Sequence, residues 1–134
     1  MTKLLEPPVS EATAPFWDAT RERRLVLPWS TVTGRPLWYP READPADPSS
    51  APVEWREAGG EGTVYAASVH HRPGPGRDEA DGPYAVALVE LAEGGRLMTN
   101  IVGCPPGDVP VGMPVRVAWH PLSDGRHLPQ FTPA

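Results

Sequence analysis

The chain has a single cysteine, Cys104, among its 134 residues. That excludes an intrachain disulfide and any zinc site built from several cysteines. Positive charge is scarce as well: 12 Lys and Arg stand against 17 Asp and Glu, for a net charge of −5. Nucleic-acid binders draw much of their affinity from a basic stripe that neutralises phosphates, and this sequence has none. Its tightest basic cluster, Arg21, Arg23 and Arg24, suits the end of a short helix, where cations offset the macrodipole. No apolar run approaches the roughly 20 residues that cross a bilayer. Residues 1–17 hold no stretch of signal-peptide character, being interrupted by Glu6, Pro7 and Pro8. The expectation is a soluble, cytoplasmic protein with neither nucleic acid nor membrane as partner. Catalytic signatures are missing too: there is no Gly-x-Ser-x-Gly elbow and no His-Glu-x-x-His pair.

Proline and glycine are plentiful, at 19 and 13 residues, a level that raises the question of disorder. Against disorder stand a hydrophobic fraction of 40% and five tryptophans, which supply large apolar groups for a core. The prolines fall mainly between apolar runs, as punctuation of a short-stranded fold. The length suits one domain.

Along the chain, residues 13–24 read as a short amphipathic helix carrying Phe16 and Trp17, with Thr13 as N-cap and Pro15 in the first turn. Leu25, Val26 and Leu27 begin an extended run that Pro28 is expected to stop. Residues 29–52 are too interrupted for a helix and too aromatic for a plain linker. Strands then follow: Val53 and Trp55 alternate with Glu54 and Arg56, and Gly59, Gly60 and Gly62 turn the chain. Further strands are predicted over 63–71, 84–91, 96–103, 115–120 and 128–132, with a long polar loop after His71 and a tight turn at Glu93-Gly94-Gly95. Five or six such strands predict a small closed barrel.

Isolated motifs carry little. Gly60-Glu61-Gly62 opens a strand, whereas a phosphate loop must open a helix. His70 and His71 are strand neighbours and point to opposite faces, which makes a shared metal ion difficult. Cys104 has no base or electropositive setting visible in sequence, so a small residue at a strand end is its ordinary reading. The acidic pairs Glu42/Asp44 and Asp78/Glu79 lie in polar loops.

Read together, the blocks make the irregular stretch intelligible. Phe16-Trp17, then Leu25-Val26-Leu27, Ser30-Thr31-Val32-Thr33-Gly34, Trp38-Tyr39-Pro40-Arg41 and Asp44-Pro45-Ala46-Asp47 keep a recognisable frame. Further on come Gly60-Glu61-Gly62-Thr63-Val64-Tyr65, residues 83–91, residues 98–104 and Gly112-Met113-Pro114-Val115. The sequence resembles the acyl-CoA-associated proteins that join an N-terminal zinc ribbon to a C-terminal OB-fold barrel. The four metal positions of that family's Cys-x-x-Cys-Gly and Cys-Pro-x-Cys motifs are here Ser30, Thr33, Asp44 and Asp47, so the ribbon is expected to be degenerate and metal-free.

The resemblance implies a mainly β fold, a small OB-fold barrel preceded by a short N-terminal helix and the degenerate ribbon. The implied division is an arm and helix over 1–24, a ribbon-like segment over 25–51 and the barrel over 52–134. It also implies a non-catalytic accessory subunit in lipid metabolism, acting in a hetero-oligomer beside a thiolase-superfamily or related acyl-CoA enzyme that carries the chemistry. No cofactor and no metal are expected. A free-standing acyl-thioester or acyl-CoA binding protein is the alternative. Phe16, Trp17, Trp29, Trp38 and Tyr39 are the candidate partner interface, because exposed aromatics commonly mark one. His70, His71, Arg72 and Arg77, around the long polar loop, are the candidate contacts to an acyl-CoA, arginine being suited to phosphate.

Overall fold

A computed structural model describes residues 4–40 and 53–134. The element order is helix α1 (Ala14–Thr20), strands β1 (Val26–Trp29), β2 (Glu54–Glu57) and β3 (Glu61–His70), a 3₁₀ turn (Glu79–Asp81), and strands β4 (Tyr84–Leu91), β5 (Arg96–Ile101), β6 (Pro114–Pro121) and β7 (His127–Pro133). Strands β3 to β7 close a barrel in the order β3-β4-β5-β7-β6, while β1 and β2 pair in a separate two-stranded sheet. Every pairing in the barrel is antiparallel except β5 with β7, which meet in parallel at Ile101 and Phe131. This is the five-stranded Greek-key closure of an OB-fold. Among the described residues, no helix is long and apolar enough to cross a membrane.

Closure depends on β3 serving two neighbours. It pairs with β4 from Gly62 to His70 and with β6 from Glu61 to Thr63, and a bulge between Val64 and Ala66 bends it between them. Gly62 sits at the crossing. A Cβ there would come within 2.6 Å of Val89 Cγ1 and 2.7 Å of the Glu90 carbonyl, so only glycine lets the strands approach this closely. Strand β4 shows the strand period plainly: Ala85, Ala87, Val89 and Leu91 are buried while Tyr84, Val86 and Leu88 are half-buried. The buried set meets Val64, Leu97, Ile101, Val115 and the fully enclosed Phe131. Truncating a core phenylalanine of this kind to alanine typically costs about 3–5 kcal/mol.

Two local expectations are corrected. Strand β1 does not stop at Pro28; it runs to Trp29, with Pro28 opposite Trp55. The Ala58 N–H donates to the Leu25 carbonyl at 2.7 Å. Alternation along the ladder therefore leaves Pro28 in a non-hydrogen-bonded pair, where its missing N–H is not needed. Helix α1 ends at Thr20 instead of Arg24, because Arg23 takes a left-handed conformation (φ 57°). The Arg24 N–H then bonds back to the Ala19 carbonyl (3.0 Å) and that of Arg23 to Thr20 (3.0 Å), closing the helix end. Thr13 occupies the N-cap position without a side-chain cap bond; its hydroxyl instead receives the Ser10 N–H at 3.0 Å. The basic cluster follows the helix, whose last turn holds no basic residue, and its members bond elsewhere. Arg24 pairs with Glu57 and Glu22, and Arg21 donates to the Asp124 carbonyl.

Candidate functional site

A buried serine organises the turn over residues 30–35. Ser30 is 1% exposed, and its Oγ accepts the N–H groups of Val32 (3.1 Å) and Thr33 (2.9 Å). The Gly34 N–H closes onto the Ser30 carbonyl at 3.0 Å, with Gly34 at positive φ, and the Ser30 N–H donates to Arg35. A serine hydroxyl thus organises the turn through backbone bonds, as such residues do in turns generally. Thr33 is exposed. Asp44 and Asp47 lie outside the described residues. Among the described residues, no group of three or more His, Cys, Asp and Glu side chains could hold a metal ion.

The five aromatics proposed as an interface fall into two sets. Phe16 and Trp17 are 4% and 8% exposed and belong to this chain's own core, which corrects the expectation that they form a free face. A short amphipathic helix is stabilised by burying its apolar stripe, and here the rest of the chain does so. The Trp17 ring lies 5.0 Å from Phe16 edge-on and beneath the Arg126 guanidinium. Arg126 is itself buried, paired with Asp124 at 2.7 Å. Trp38 packs against Phe16 at 5.2 Å and has a buried indole N–H without a partner. Trp29 is half-buried beneath Arg56, and Tyr39, next to Trp38, is exposed.

Of the four candidate ligand contacts, two converge. His70 stands opposite Tyr84 across β3 and β4, with ring centroids 5.2 Å apart. Arg77 returns from the 72–82 loop to stack its guanidinium on the same tyrosine at 3.9 Å. Gly74 lies so close that a Cβ there would meet the Tyr84 hydroxyl at 2.5 Å. His71 and Arg72 are exposed and do not join this cluster. Sequence reading missed Tyr84 as the organising residue; the available signal was an aromatic at a strand start just after a loop carrying arginines. Asp78 and Asp81 are bound up in the 3₁₀ turn. Asp78 accepts the Ala80 N–H, and Asp81 accepts the Asp78 N–H, each at 2.9 Å.

Beside this cluster lies a cleft of about 190 Å³ lined by Leu4, Arg77, Val102, His120 and Gln130. On another wall, the outer face of β3, β4 and β5 presents a shallow groove of about 210 Å³ along Ala66, Val86, Leu88 and Met98. Met98 is 57% exposed and Tyr65 nearby is 48% exposed. Arg96 stacks on Tyr65 at 3.7 Å and pairs with Glu90 at 3.1 Å. Among the described residues, no nucleophile, base and orienting group stand within hydrogen-bond reach of one another.

The family profile of the ChsH2 C-terminal OB-fold domain matches residues 55–120. A probable enoyl-CoA hydratase alpha subunit of Thermomonospora curvata is 38% identical over 131 residues, which are 96% of this chain and 39% of that protein. This chain thus spans about two fifths of that relative's length. A DUF35 domain-containing scaffold protein of Methanocaldococcus jannaschii is 31% identical over 109 residues, covering 81% of this chain and 77% of that one. Among solved structures, a chain of the Ltp2-ChsH2(DUF35) aldolase superposes with a TM-score of 0.82 at 36% identity, over 96% of this chain and 98% of that one.

Proposed function

The chain belongs to the DUF35 family, with the OB-fold domain found at the C-terminus of ChsH2, and on that premise we propose that it is a non-catalytic accessory subunit of an acyl-CoA-processing assembly. The observation that carries the reading is the near full-length likeness to a chain of the Ltp2-ChsH2(DUF35) aldolase, at 98% coverage of that chain. A hydratase alpha subunit and a scaffold protein among the relatives support the same class of role. The partner is a thiolase-superfamily or related acyl-CoA enzyme, which supplies the catalytic groups that the described residues do not bring together. The exposed Tyr65 and Met98 face, with Tyr39 beside the ribbon, offers the apolar contact area such a partner needs. The division into 1–24, 25–51 and 52–134 is part of this proposal, with the ribbon segment as the part that adapts to the partner.

Affinity capture of the tagged chain from its native cell, with mass-spectrometric identification of the companion, tests the assembly. Activity of the chain alone, the companion alone and the reconstituted pair tests the division of labour. We expect turnover only where the companion is present, raised by adding this chain. Turnover by the isolated chain would refute the accessory role. The convergence of His70 and Arg77 on Tyr84 favours a second reading, a free-standing acyl-thioester binding protein. A stable monomer that binds acyl-CoA without any companion would select it.

A further inference from the structure

We propose that the cleft between the 72–82 loop and the outer face of β6 and β7 is a binding site for a small oxyanion, a phosphoryl or carboxylate group. The proposal deepens the ligand-holding part of the functional reading above and rests on it only for relevance; the geometry stands on this chain alone.

Gln130 is the first ground. It lies on β7 opposite Ala118 and next to Phe131, whose side chain fills the barrel interior, so Gln130 faces outward. Yet it is only 7% exposed, lining a cleft whose other walls include Leu4 and Arg77. Its side-chain amide has no hydrogen-bond partner among the described residues. Its polar atoms reach the open space of the cleft and are not sealed in the interior, so the amide is available to hydrogen-bond a ligand.

Arg77 is the second ground. Stacking on Tyr84 at 3.9 Å fixes the plane of its guanidinium and leaves the N–H edge unused. No carboxylate lies within ion-pair distance of it among the described residues. Its acidic neighbours Asp78 and Asp81 direct carboxylate oxygens at backbone N–H groups of the 3₁₀ turn. His120 completes the set. It stands two residues beyond Ala118 on β6 and so shares the outer face with Gln130.

A cation, an amide and an imidazole facing one space, with no carboxylate among the described lining residues, suit an oxyanion. At about 190 Å³ the cleft admits a single phosphoryl or carboxylate group; drug-sized ligands usually need about 300 Å³ or more. Leu4 is held in place by the adjoining arm. Glu6 accepts the Ser123 N–H and hydroxyl at 2.6 and 2.7 Å, and the Pro7 carbonyl accepts from Arg126 at 2.8 Å.

The test is an NMR titration of the isolated chain with inorganic phosphate and, separately, with acetate, against sodium chloride at matched ionic strength. We expect saturable shifts of the Gln130 side-chain amide with phosphate, acetate or both, and none with chloride; which anion saturates identifies the group. Arg77→Gln and Gln130→Leu should each weaken binding roughly tenfold or more, the usual loss for a hydrogen bond to a charged group. Arg72→Gln, outside the cleft, should leave it unchanged. Arg77 sits in a surface loop, so its variant decides the matter even if Gln130→Leu fails to fold. No saturable response, or equal weakening by Arg72→Gln and Arg77→Gln, would overturn the site. Because no companion enzyme is present, such a failure is separate from a failure to find an assembly.

Discussion

Replacing Thr20 by valine isolates the joint between helix α1 and the barrel. Thr20 is fully buried; its hydroxyl donates to the Trp17 carbonyl at 2.6 Å and accepts the His127 N–H at 3.2 Å. The second bond matters more. Leu122 and Arg126 form a hydrogen-bonded pair in the β6–β7 hairpin, which leaves Pro121 and His127 as a non-hydrogen-bonded pair. The His127 N–H therefore points away from β6, and Thr20 is its acceptor. Valine keeps the size and creates no cavity, so the loss is that of the two hydroxyl bonds, to the Trp17 carbonyl and from the His127 N–H, with an unsatisfied group costing about 1–3 kcal/mol. With an unfolding entropy of about 2.1 cal/mol/K per residue, about 2 kcal/mol lowers Tm by about 6–8 °C in a chain of this length. Thermal unfolding reads the stability, and hydrogen exchange at the His127 amide reads the cause. Thr20→Ser keeps the hydroxyl, so it should retain His127 protection while losing about 1 kcal/mol for the methyl group. A valine variant with unchanged Tm and a still-protected His127 amide would refute the reasoning.

Elemental analysis of the purified chain should find no stoichiometric zinc. Zinc prefers thiolate and imidazole, and the Ser30 hydroxyl already accepts two backbone N–H groups; close to one zinc per chain would contradict this. Trp38→Ala should lower stability by about 2 kcal/mol, less than a fully buried tryptophan, by removing the ring that meets Phe16. Trp38→Phe, which deletes an unpartnered N–H, should cost less, and identical Tm values for both variants and the parent would show that the ribbon does not brace the helix. Glu6 is held below its usual carboxylate range first by the Ser123 N–H and then by its hydroxyl. Its contribution is therefore fully present above the unfolded value of 4.5 and is lost as pH falls through the lower folded value. Acid titration followed at the Ser123 amide should show the arm releasing in that window, and Glu6→Gln should abolish the transition; the same titration curve in the variant would assign it to another group.

The strands were legible because alternation is local. Tyr84 to Leu91 runs as one strand whose Ala85, Ala87, Val89 and Leu91 turn inward, and the lone cysteine with Ser30 and Thr33 at former ligand positions pointed to a ribbon that must hold itself together without thiolates. Helix α1 was legible in place but not in extent. Its end at Thr20 is followed by a single left-handed residue, Arg23, and arginine is no signal for that conformation. Pro28 was misread because its tolerance depends on which ladder positions bond to β2, a strand about 25 residues away in sequence. The sequence alone determined the mainly β class, the barrel and the lack of a cysteine metal site, since composition and a two-residue period suffice for these. Only the tertiary structure decided that Phe16 and Trp17 face inward and that Arg77, His120 and Gln130 share one cleft. Those three residues lie on a loop and two strands, and the closure of β5 onto β7 and of β3 onto β6 brings them together through pairings that no local pattern records.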